Sequence, residues 1–291
     1  MPTYDANVQN VLTGQTTPIN SRERCSADPD KLTAIGRAVG HQIRIKRSAT
    51  EYALYTVCET RQENPENIVR MLATGASRLG STTPFDATVD SQVPHPSYTD
   101  AQAETNSEFV ERLDDNGIHT ALIAIAPHGG NIEPWTDKQA ERVASQMADQ
   151  EVSCWRCKGW KKGGGAFLRW HITSTDLHEA SFPLLNTIIN RGFSYAVAFH
   201  GFSENNILIG GGAGDQLKQD IKTAIESVIS GSGISVDIAG PTSNYGGDSP
   251  RNIVNRLANG GGIQIEQCEA ARTNYWQGIA DAVVSVLRPY F

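Results

Sequence analysis

The chain has 291 residues, of which 39% are hydrophobic and 20% are charged, and it carries a formal net charge of −7. This composition is typical of a globular protein and excludes wholesale disorder. The acidic balance argues against broad nucleic-acid or membrane binding, because either partner requires a basic surface. No run of about 18 apolar residues occurs, and the N-terminus lacks the basic and apolar segments of a secretory signal. We therefore expect a protein that is cytoplasmic or released by cell lysis.

Residues 1–100 are predicted to form a small N-terminal region that contains β-strands. The first thirty residues are polar with scattered Pro, Gly and Thr, and they predict an extended arm. Strands are predicted within 42–49 and 51–59, where β-forming residues alternate or cluster. The Pro- and Thr-rich stretch 81–100 predicts a linker or a long surface connection.

From residue 101 onward, predicted helices and strands alternate to the end of the chain. The predicted helices are 101–115, 137–150, 181–192, 214–230, 250–258 and 274–291, and the predicted strands are 120–126, 166–173, 194–202, 233–240 and 261–269. Such alternation is typical of the α/β class. We therefore predict a catalytic domain over 101–291, with a mixed, mostly parallel sheet flanked by helices.

The five cysteines include a C-x-x-C pair, Cys154 and Cys157, in the segment "CWRC". This spacing occurs in redox and zinc sites, but no second pair of metal ligands stands at a suitable distance along the chain. The flanking residues predict a loop rather than the strand-to-helix turn of a thioredoxin-like site. A local disulfide or two free thiols is the favoured interpretation.

Polar side chains stand at the ends of three predicted strands, and ligands bind at the carboxyl ends of the strands in open α/β sheets. The strand at 120–126 is followed by His128 and Glu133, the strand beginning at 194 leads to His200, and Glu266 lies near the end of the last strand. Two histidines and one carboxylate are typical ligands of catalytic zinc. A second glutamate is then available as a general base.

Each of these residues also has a purely structural interpretation. Either histidine can be a satisfied core residue, Glu133 can stabilise the N-terminus of the helix predicted from Asp137, and Glu266 can face solvent in an alternating strand. The combination favours a site, because "AIAPHGG" and "AVAFHGF" both place His-Gly at the end of a buried apolar strand. Glycine after each histidine allows a sharp turn beside a metal and a substrate.

Five segments resemble, in the same order, the poly-γ-glutamate hydrolase family of phage and bacterial zinc enzymes. They are "IAPHGGNIEPWT", "WHITSTD", "AFHGF", "RNIVNR" and "GGIQIEQCEAAR". The resemblance covers roughly residues 104–290 and implies a core related in fold to the zinc carboxypeptidases. Carried over residue by residue, it implies that His128, Glu133 and His200 bind Zn²⁺ and that Glu266 is the general base.

The resemblance also implies a substrate, a γ-glutamyl polymer, whose amide bond is cleaved by metal-activated water. The sequence departs from the family's pattern at Trp135, where members usually have glycine, and in "CWRCKGWKKGGG", which replaces a shorter and less basic segment. Both departures lie near the predicted site and bear on substrate preference.

A polyanionic substrate requires local positive charge on this acidic protein. Residues 156–171 hold five basic residues and no acidic one, with glycines that suggest a mobile flap. The candidate substrate-binding residues are Lys161, Lys162, Arg169, His171, Arg256 and Arg272. For each, a solvated loop, a surface salt bridge or a structural histidine is the alternative.

Two other functions stay open at this point. One is a zinc amidohydrolase or carboxypeptidase that acts on another glutamyl or peptidoglycan-type amide. The other is a non-catalytic binding module of a phage or a cell surface. The sequence does not define the oligomeric state.

Overall fold

The computed structural model describes residues 2–12, 18–240 and 242–291. Within these residues the strands, β1 to β13, are Thr3–Asn10, Arg24–Ala27, Gln42–Lys46, Tyr52–Thr60, Ile68–Met71, Phe85–Asp90, Phe109–Asp114, Leu122–Gly130, Ser153–Gly159, Tyr195–Gly201, Ile207–Gly210, Val236–Ile238 and Ile263–Gln267. The α-helices, α1 to α9, are Pro29–Ala34, Ala73–Ser77, Asp100–Asn106, Thr136–Gln146, Ala166–Trp170, Pro183–Ile188, Asp215–Val228, Ile253–Leu257 and Glu269–Leu287. Short 3₁₀ helices are Ala148–Gln150, Glu179–Ser181 and Arg288–Tyr290.

The chain divides into two compact units. The first is Met1–Ser97 with Gly163–Pro183, and the second is Tyr98–Lys162 with Leu184–Phe291. The sequence-based boundary at residue 100 placed 163–183 in the second region, whereas these residues pack with the first. The predicted and observed boundaries differ because the local sequence pattern does not show with which unit a segment packs.

The first unit contains a closed barrel with strand order β1-β5-β2-β4-β3-β6. Alternation explains its core: Ile43 and Ile45 of β3 are fully buried, as are Val8 of β1 and Val89 of β6. Closure leaves no unpaired strand edge. The predicted extended arm is wrong for β1 and β2, which pair in the barrel, and residues 1 and 13–17 of that arm lie outside the described residues.

Two further predictions fail in this unit. The stretch 81–100 contains β6, which pairs with β1 and β3, so it is not simply a connection. The predicted strand at 166–173 is instead helix α5. Its buried residues, Ala166, Arg169 and Trp170, have the i, i+3, i+4 spacing of a helix face. The apolar residues in this segment led to the prediction of a strand instead.

The second unit is built on a seven-stranded sheet of order β12-β11-β13-β10-β8-β9-β7. Strands pair in parallel between β12 and β11, β13 and β10, β10 and β8, and β8 and β9, and antiparallel between β11 and β13 and between β9 and β7. Helices α4, α7 and α9 pack on this sheet in one apolar core. The central strands are buried on both faces, which explains their continuous apolar sequence. The α/β class is confirmed, and the closed barrel was not predicted.

The segment that the sequence predicted as a loop around "CWRC" is strand β9. Cys154 and Cys157 are buried free thiols, and their spacing of three places them on opposite faces of the strand. Its antiparallel partner β7 occupies the second half of the helix predicted at 101–115. That helix ends early because Ser107 adopts a left-handed conformation, with φ of 58°. Within the described residues no helix is long and apolar enough to cross a membrane.

Candidate active site

His128 is placed by an irregularity at the end of β8. The register between β8 and β9 shifts between Ala126 and Gly129, so Pro127 and His128 form a bulge. Proline has no N–H for the sheet, and bulges commonly redirect side chains at functional sites. Gly130 then adopts a φ of +67°, a conformation that favours glycine, and the chain turns back. The turn closes when the Glu133 N–H donates to the His128 carbonyl over 2.8 Å.

The turn brings Glu133 between the two predicted histidine ligands. Its Oε1 lies 3.0 Å from His128 Nδ1, and its Oε2 lies 3.4 Å from His200 Nδ1. The two Nδ1 atoms are 3.2 Å apart. All three side chains are buried, and Glu133 Oε2 also accepts a hydrogen bond of 2.9 Å from the Gly201 N–H. Glu133 therefore bridges β8 and β10 and is not a cap of α4, whose N-cap position is Trp135.

Glu266 lies beside this group on the neighbouring strand. In the parallel pairing of β10 with β13, His200 and Glu266 are register partners. Glu266 is buried rather than facing solvent, and its Oε1 accepts a hydrogen bond of 3.0 Å from Gln264 Nε2. The amide of Gln264 is held in turn by Asn252 Nδ2, 2.7 Å from Gln264 Oε1.

Burial and the neighbouring charges shift the pKa values of the two glutamates in opposite directions. Burial favours a raised pKa for Glu133, but the charge of His128 and hydrogen bonds with His128 and His200 lower its pKa well below the usual range. Burial raises the pKa of Glu266 well above its usual range, and the charge of Glu133 raises it further, against the opposing effect of Arg272. The shifts favour the ionised form of Glu133 and the protonated form of Glu266. Opposite shifts of two neighbouring carboxyl groups are typical of sites in which they have different acid–base roles.

Arg272 is buried in the first turns of α9 and connects the strand ends. Its Nη1 donates to the Pro134 carbonyl over 2.8 Å, and its Nε donates to the Gln267 carbonyl over 3.3 Å. The guanidinium lies against Gly201, where an added Cβ would sit 2.5 Å from Arg272 Cζ. The glycine after His200 is therefore needed for this close approach.

The basic segment that was predicted as a flap differs from that prediction in its first half. Arg156 and Lys158 are buried in β9, and both pair with carboxylates: Arg156 with Asp114 at 2.6 Å, and Lys158 with Glu141 at 2.5 Å and Asp137 at 3.2 Å. These charges are neutralised within the fold and do not form a mobile surface.

Lys161 and Lys162 follow the end of β9, next to the turn that carries Glu133. Gly159 is the register partner of Gly130, and the Asn131 N–H donates to the Gly159 carbonyl over 2.9 Å. Lys161 is half-buried and Lys162 is exposed. The two lysines therefore follow, by two and three residues, a glycine that is hydrogen-bonded to the turn.

The remaining candidates are described by their surroundings within their own units. Arg256 is half-buried in the last turn of α8, within the second unit. Arg169 and His171 belong to the first unit. There the Arg169 guanidinium lies 4.1 Å from the centre of the Tyr52 ring, and His171 Nδ1 lies 2.6 Å from Glu23 Oε1.

Sequence reasoning missed Gln264 and Asn252, which hold the Glu266 carboxyl through an amide relay. One signal was available. Gln264 stands two residues before Glu266 in "IQIEQ", and residues two apart on a strand share a face. Asn252 is remote in sequence and only the fold places it.

The spacing of the three donor atoms suits a single metal ion. Ligands at about 2.0–2.1 Å from a tetrahedral zinc ion lie roughly 3.3–3.4 Å from each other. The separations of 3.0, 3.2 and 3.4 Å between the donors of His128, His200 and Glu133 fall close to this range. Two imidazole nitrogens and a carboxylate are also the donor types that zinc prefers.

The sheet, its helices and the buried cluster of two histidines and two glutamates define an α/β protein with a candidate site at the carboxyl ends of neighbouring strands. Residues 96–282 match the family model described as poly-gamma-glutamate hydrolase, and the chain belongs to this family. The match includes the entire cluster and leaves out the first 95 residues.

The chain is also similar to several relatives and solved structures. The SPbeta prophage-derived UPF0714 protein YoqZ of Bacillus subtilis (strain 168) is 26% identical over 165 residues, which are 56% of this chain and 54% of that protein. The zinc-free apo structure of YndL is 22% identical, with a TM-score of 0.50 over 66% of this chain and 96% of that one, a likeness in fold. A bacteriophage poly-gamma-glutamate hydrolase structure is 25% identical, with a TM-score of 0.48 over 62% of this chain and 89% of that one. The chain spans about half the length of the curated relatives it matches.

Proposed function

We propose that this protein is a zinc-dependent hydrolase that cleaves the amide bonds of a γ-glutamyl polymer. The observation that carries the proposal is the convergence of three buried donors, on His128, Glu133 and His200, to within 3.0–3.4 Å of one another, with Glu266 on the adjacent strand. Membership of the poly-gamma-glutamate hydrolase family supports the hydrolase activity and the substrate class.

His128, Glu133 and His200 would hold the zinc ion. When bound, zinc lowers the pKa of water and polarises a carbonyl oxygen. The pKa of Glu133, well below its usual range, keeps the carboxylate ionised, as a metal ligand must be. The YndL structure is described as a zinc-free apo form, which supports the choice of zinc in this proposal. We also propose that the second unit is related in fold to the zinc carboxypeptidases.

Glu266 would act as the general base. A base works best when its pKa lies near the operating pH, and burial beside Glu133 raises the pKa of Glu266 in that direction. Its carboxylate would accept a proton from the attacking water and pass it to the nitrogen of the leaving amine. The hydrogen bond from Gln264 fixes the orientation of the carboxylate during both transfers.

Arg272 would position the site rather than bind a substrate carboxylate. Two of its donors are used by the carbonyls of Pro134 and Gln267, so the guanidinium ties the Glu133 turn to the end of β13. Substrate carboxylates would instead be met by Lys161 and Lys162, which follow the strand end beside that turn.

Arg256, Arg169 and His171 are further candidates for binding substrate carboxylates. A guanidinium is suited to bidentate carboxylate binding, which favours the two arginines over the histidine. An alanine variant of a residue that binds these carboxylates should have a raised KM for the polymer.

The proposal is tested by incubating the full chain with γ-linked and α-linked polyglutamate, with added Zn²⁺ and after treatment with a chelator. We expect the γ-linked polymer to shorten, the chelator to stop the reaction, and Zn²⁺ to restore it. Cleavage of the α-linked polymer instead would indicate a carboxypeptidase-like enzyme. Binding without cleavage of either polymer would indicate a non-catalytic module.

A further inference from the structure

Trp135 holds an unusual backbone conformation two residues after Glu133. Its φ is 79° and its ψ is −15°, in the left-handed region that residues other than glycine seldom adopt. The side chain is 40% exposed, and although Trp135 occupies the N-cap of α4, it makes no side-chain capping hydrogen bond. Neither burial nor helix capping accounts for the indole, and backbone strain of this kind often marks a functional position.

Trp276 completes an aromatic pair with Trp135. The ring centres are 5.6 Å apart and the planes are inclined by 17°, a stacked arrangement. Trp276 is half-buried, whereas the other three tryptophans, Trp155, Trp160 and Trp170, are buried. Part of the stacked pair is therefore open to solvent.

The pair is tied to the turn that carries Glu133. Trp276 follows Arg272 by four residues in α9, so both side chains lie on the same face of the helix. Arg272 donates to the carbonyl of Pro134, the residue before Trp135. The indoles and the Glu133 carboxylate thus share one anchored segment, and ordering the pair on ligand binding costs little entropy.

We propose that Trp135 and Trp276 form a stacking platform for the main chain of the γ-glutamyl polymer next to the cleaved amide. This inference rests on the proposed function. A γ-linked repeat has two methylene groups, Cβ and Cγ, between successive amides, so its main chain presents short apolar segments. These segments can lie on an indole face while the α-carboxylates point to solvent or to the lysines. In an α-linked polymer the same methylenes belong to the side chains.

The reach of the platform matches the length of the repeat. The Cα atoms of Glu133 and Trp135, two residues apart, are separated by at most about 7 Å. An extended γ-glutamyl repeat of five main-chain bonds spans roughly 6 Å. This spacing fits a contact one or two residues from the amide that is cleaved, and the platform would then favour binding of polymers over single γ-glutamyl amides.

The test compares Trp135→Gly and Trp276→Ala with wild type on long γ-linked polyglutamate. Trp135→Gly removes the ring and relieves the positive φ, so its thermal stability should equal or exceed that of wild type. The matched control is Tyr290→Ala. Tyr290 is also exposed and packs against another aromatic ring, but its partner Tyr195 starts β10, at the end of the strand opposite His200.

We expect KM to rise about 4- to 15-fold in both tryptophan variants, the loss expected when one or two methylene groups are no longer buried, while kcat changes little. The rise should persist at about 0.5 M salt, because the contact is not ionic. Tyr290→Ala should leave KM unchanged. In the chelator-treated chain, addition of the polymer should change the tryptophan fluorescence of wild type, and the change should be smaller in Trp135→Gly and in Trp276→Ala.

The outcomes separate this inference from the function on which it rests. If wild type cleaves the polymer and the tryptophan variants keep its KM, the platform is refuted and the hydrolase proposal stands. If KM rises equally in Tyr290→Ala, the platform is also refuted. If wild type does not cleave the polymer, the proposed function fails and the platform fails with it.

Discussion

Glu266→Gln is the substitution that most sharply separates catalysis from metal binding. The two side chains have the same shape, and glutamine keeps an oxygen that can accept the hydrogen bond of 3.0 Å from Gln264 Nε2. The change removes the ability to take up a proton and leaves His128, Glu133 and His200 untouched. We therefore expect lost turnover with zinc still bound.

The expected loss follows from the role of a general base. Such a group contributes about 100- to 10,000-fold to the rate, which corresponds to about 3–5 kcal/mol of transition-state stabilisation. The effect should appear in kcat and not in the zinc content. A loss below about tenfold would be too small for the only base in the mechanism.

A second consequence concerns the stability of the metal-free chain. Burial, and then the charge of Glu133, raise the pKa of Glu266 well above its usual range. A raised folded-state pKa contributes stability that is present below the unfolded-state value and is lost as pH rises through the folded-state value. Wild type should therefore lose free energy of unfolding between pH 5 and pH 8 relative to Glu266→Gln, and the variant should be the more stable at pH 8.

The assay measures turnover of γ-linked polyglutamate, zinc per chain, and urea unfolding of the metal-free proteins at pH 5 and pH 8. Glu269→Gln is the matched control, because it makes the same chemical change at an exposed carboxylate in the first turn of α9. The control should keep its turnover and show no change in stability relative to wild type between the two pH values. Retained turnover in Glu266→Gln would refute the assigned base, and lost zinc would show that Glu266 is a ligand.

Two further substitutions test the surroundings of the site. Reversing the charge at Lys161 and Lys162 should raise the KM for the polyanion about 3- to 30-fold at low salt and much less at about 0.5 M salt. Initial rates measure this KM. An increase in KM that does not depend on salt would contradict electrostatic steering. Gln264→Met removes a hydrogen bond that stabilises the ionised Glu266 carboxylate by about 1.5–3 kcal/mol. The acidic limb of the pH–rate profile should therefore move about one to two pH units upward. Gln139→Met, which removes another buried amide, should not move that limb; an equal shift in both variants would indicate a general loss of packing.

The residues of the candidate site were predictable because each stands at the end of a locally readable strand. The apolar runs before His128 and His200 identify buried parallel strands, and the carboxyl ends of such strands meet at one edge of a sheet. Glu133 follows from the glycine turn. The local pattern could not show that Pro127 and His128 form a bulge, because this depends on the register with β9.

The errors have a common physical cause, which is that pairing partners distant in sequence override local pattern. The segment around Cys154 and Cys157 contains charged residues and glycines that predict a loop, yet Arg156 and Lys158 are buried because carboxylates on β7, α3 and α4 neutralise them. Likewise, the barrel of the first unit depends on parallel and antiparallel pairings between strands as far apart as β1 and β6. Of the six barrel strands the sequence predicts only β3 and β4, and it does not predict the closure.

The central claim is that His128, Glu133 and His200 together bind one zinc ion that the reaction requires. The most direct measurement is elemental analysis of zinc per chain in wild type, His200→Ala and the control His119→Ala, alongside turnover. His119 belongs to the second unit and its ring accepts a hydrogen bond of 2.9 Å from the Leu122 N–H, at the end of β8 opposite His128. We predict about one zinc per chain and full turnover in wild type and in His119→Ala, and loss of both in His200→Ala. A wild-type chain that is active without metal, or a His200→Ala variant that retains its zinc, would contradict the account.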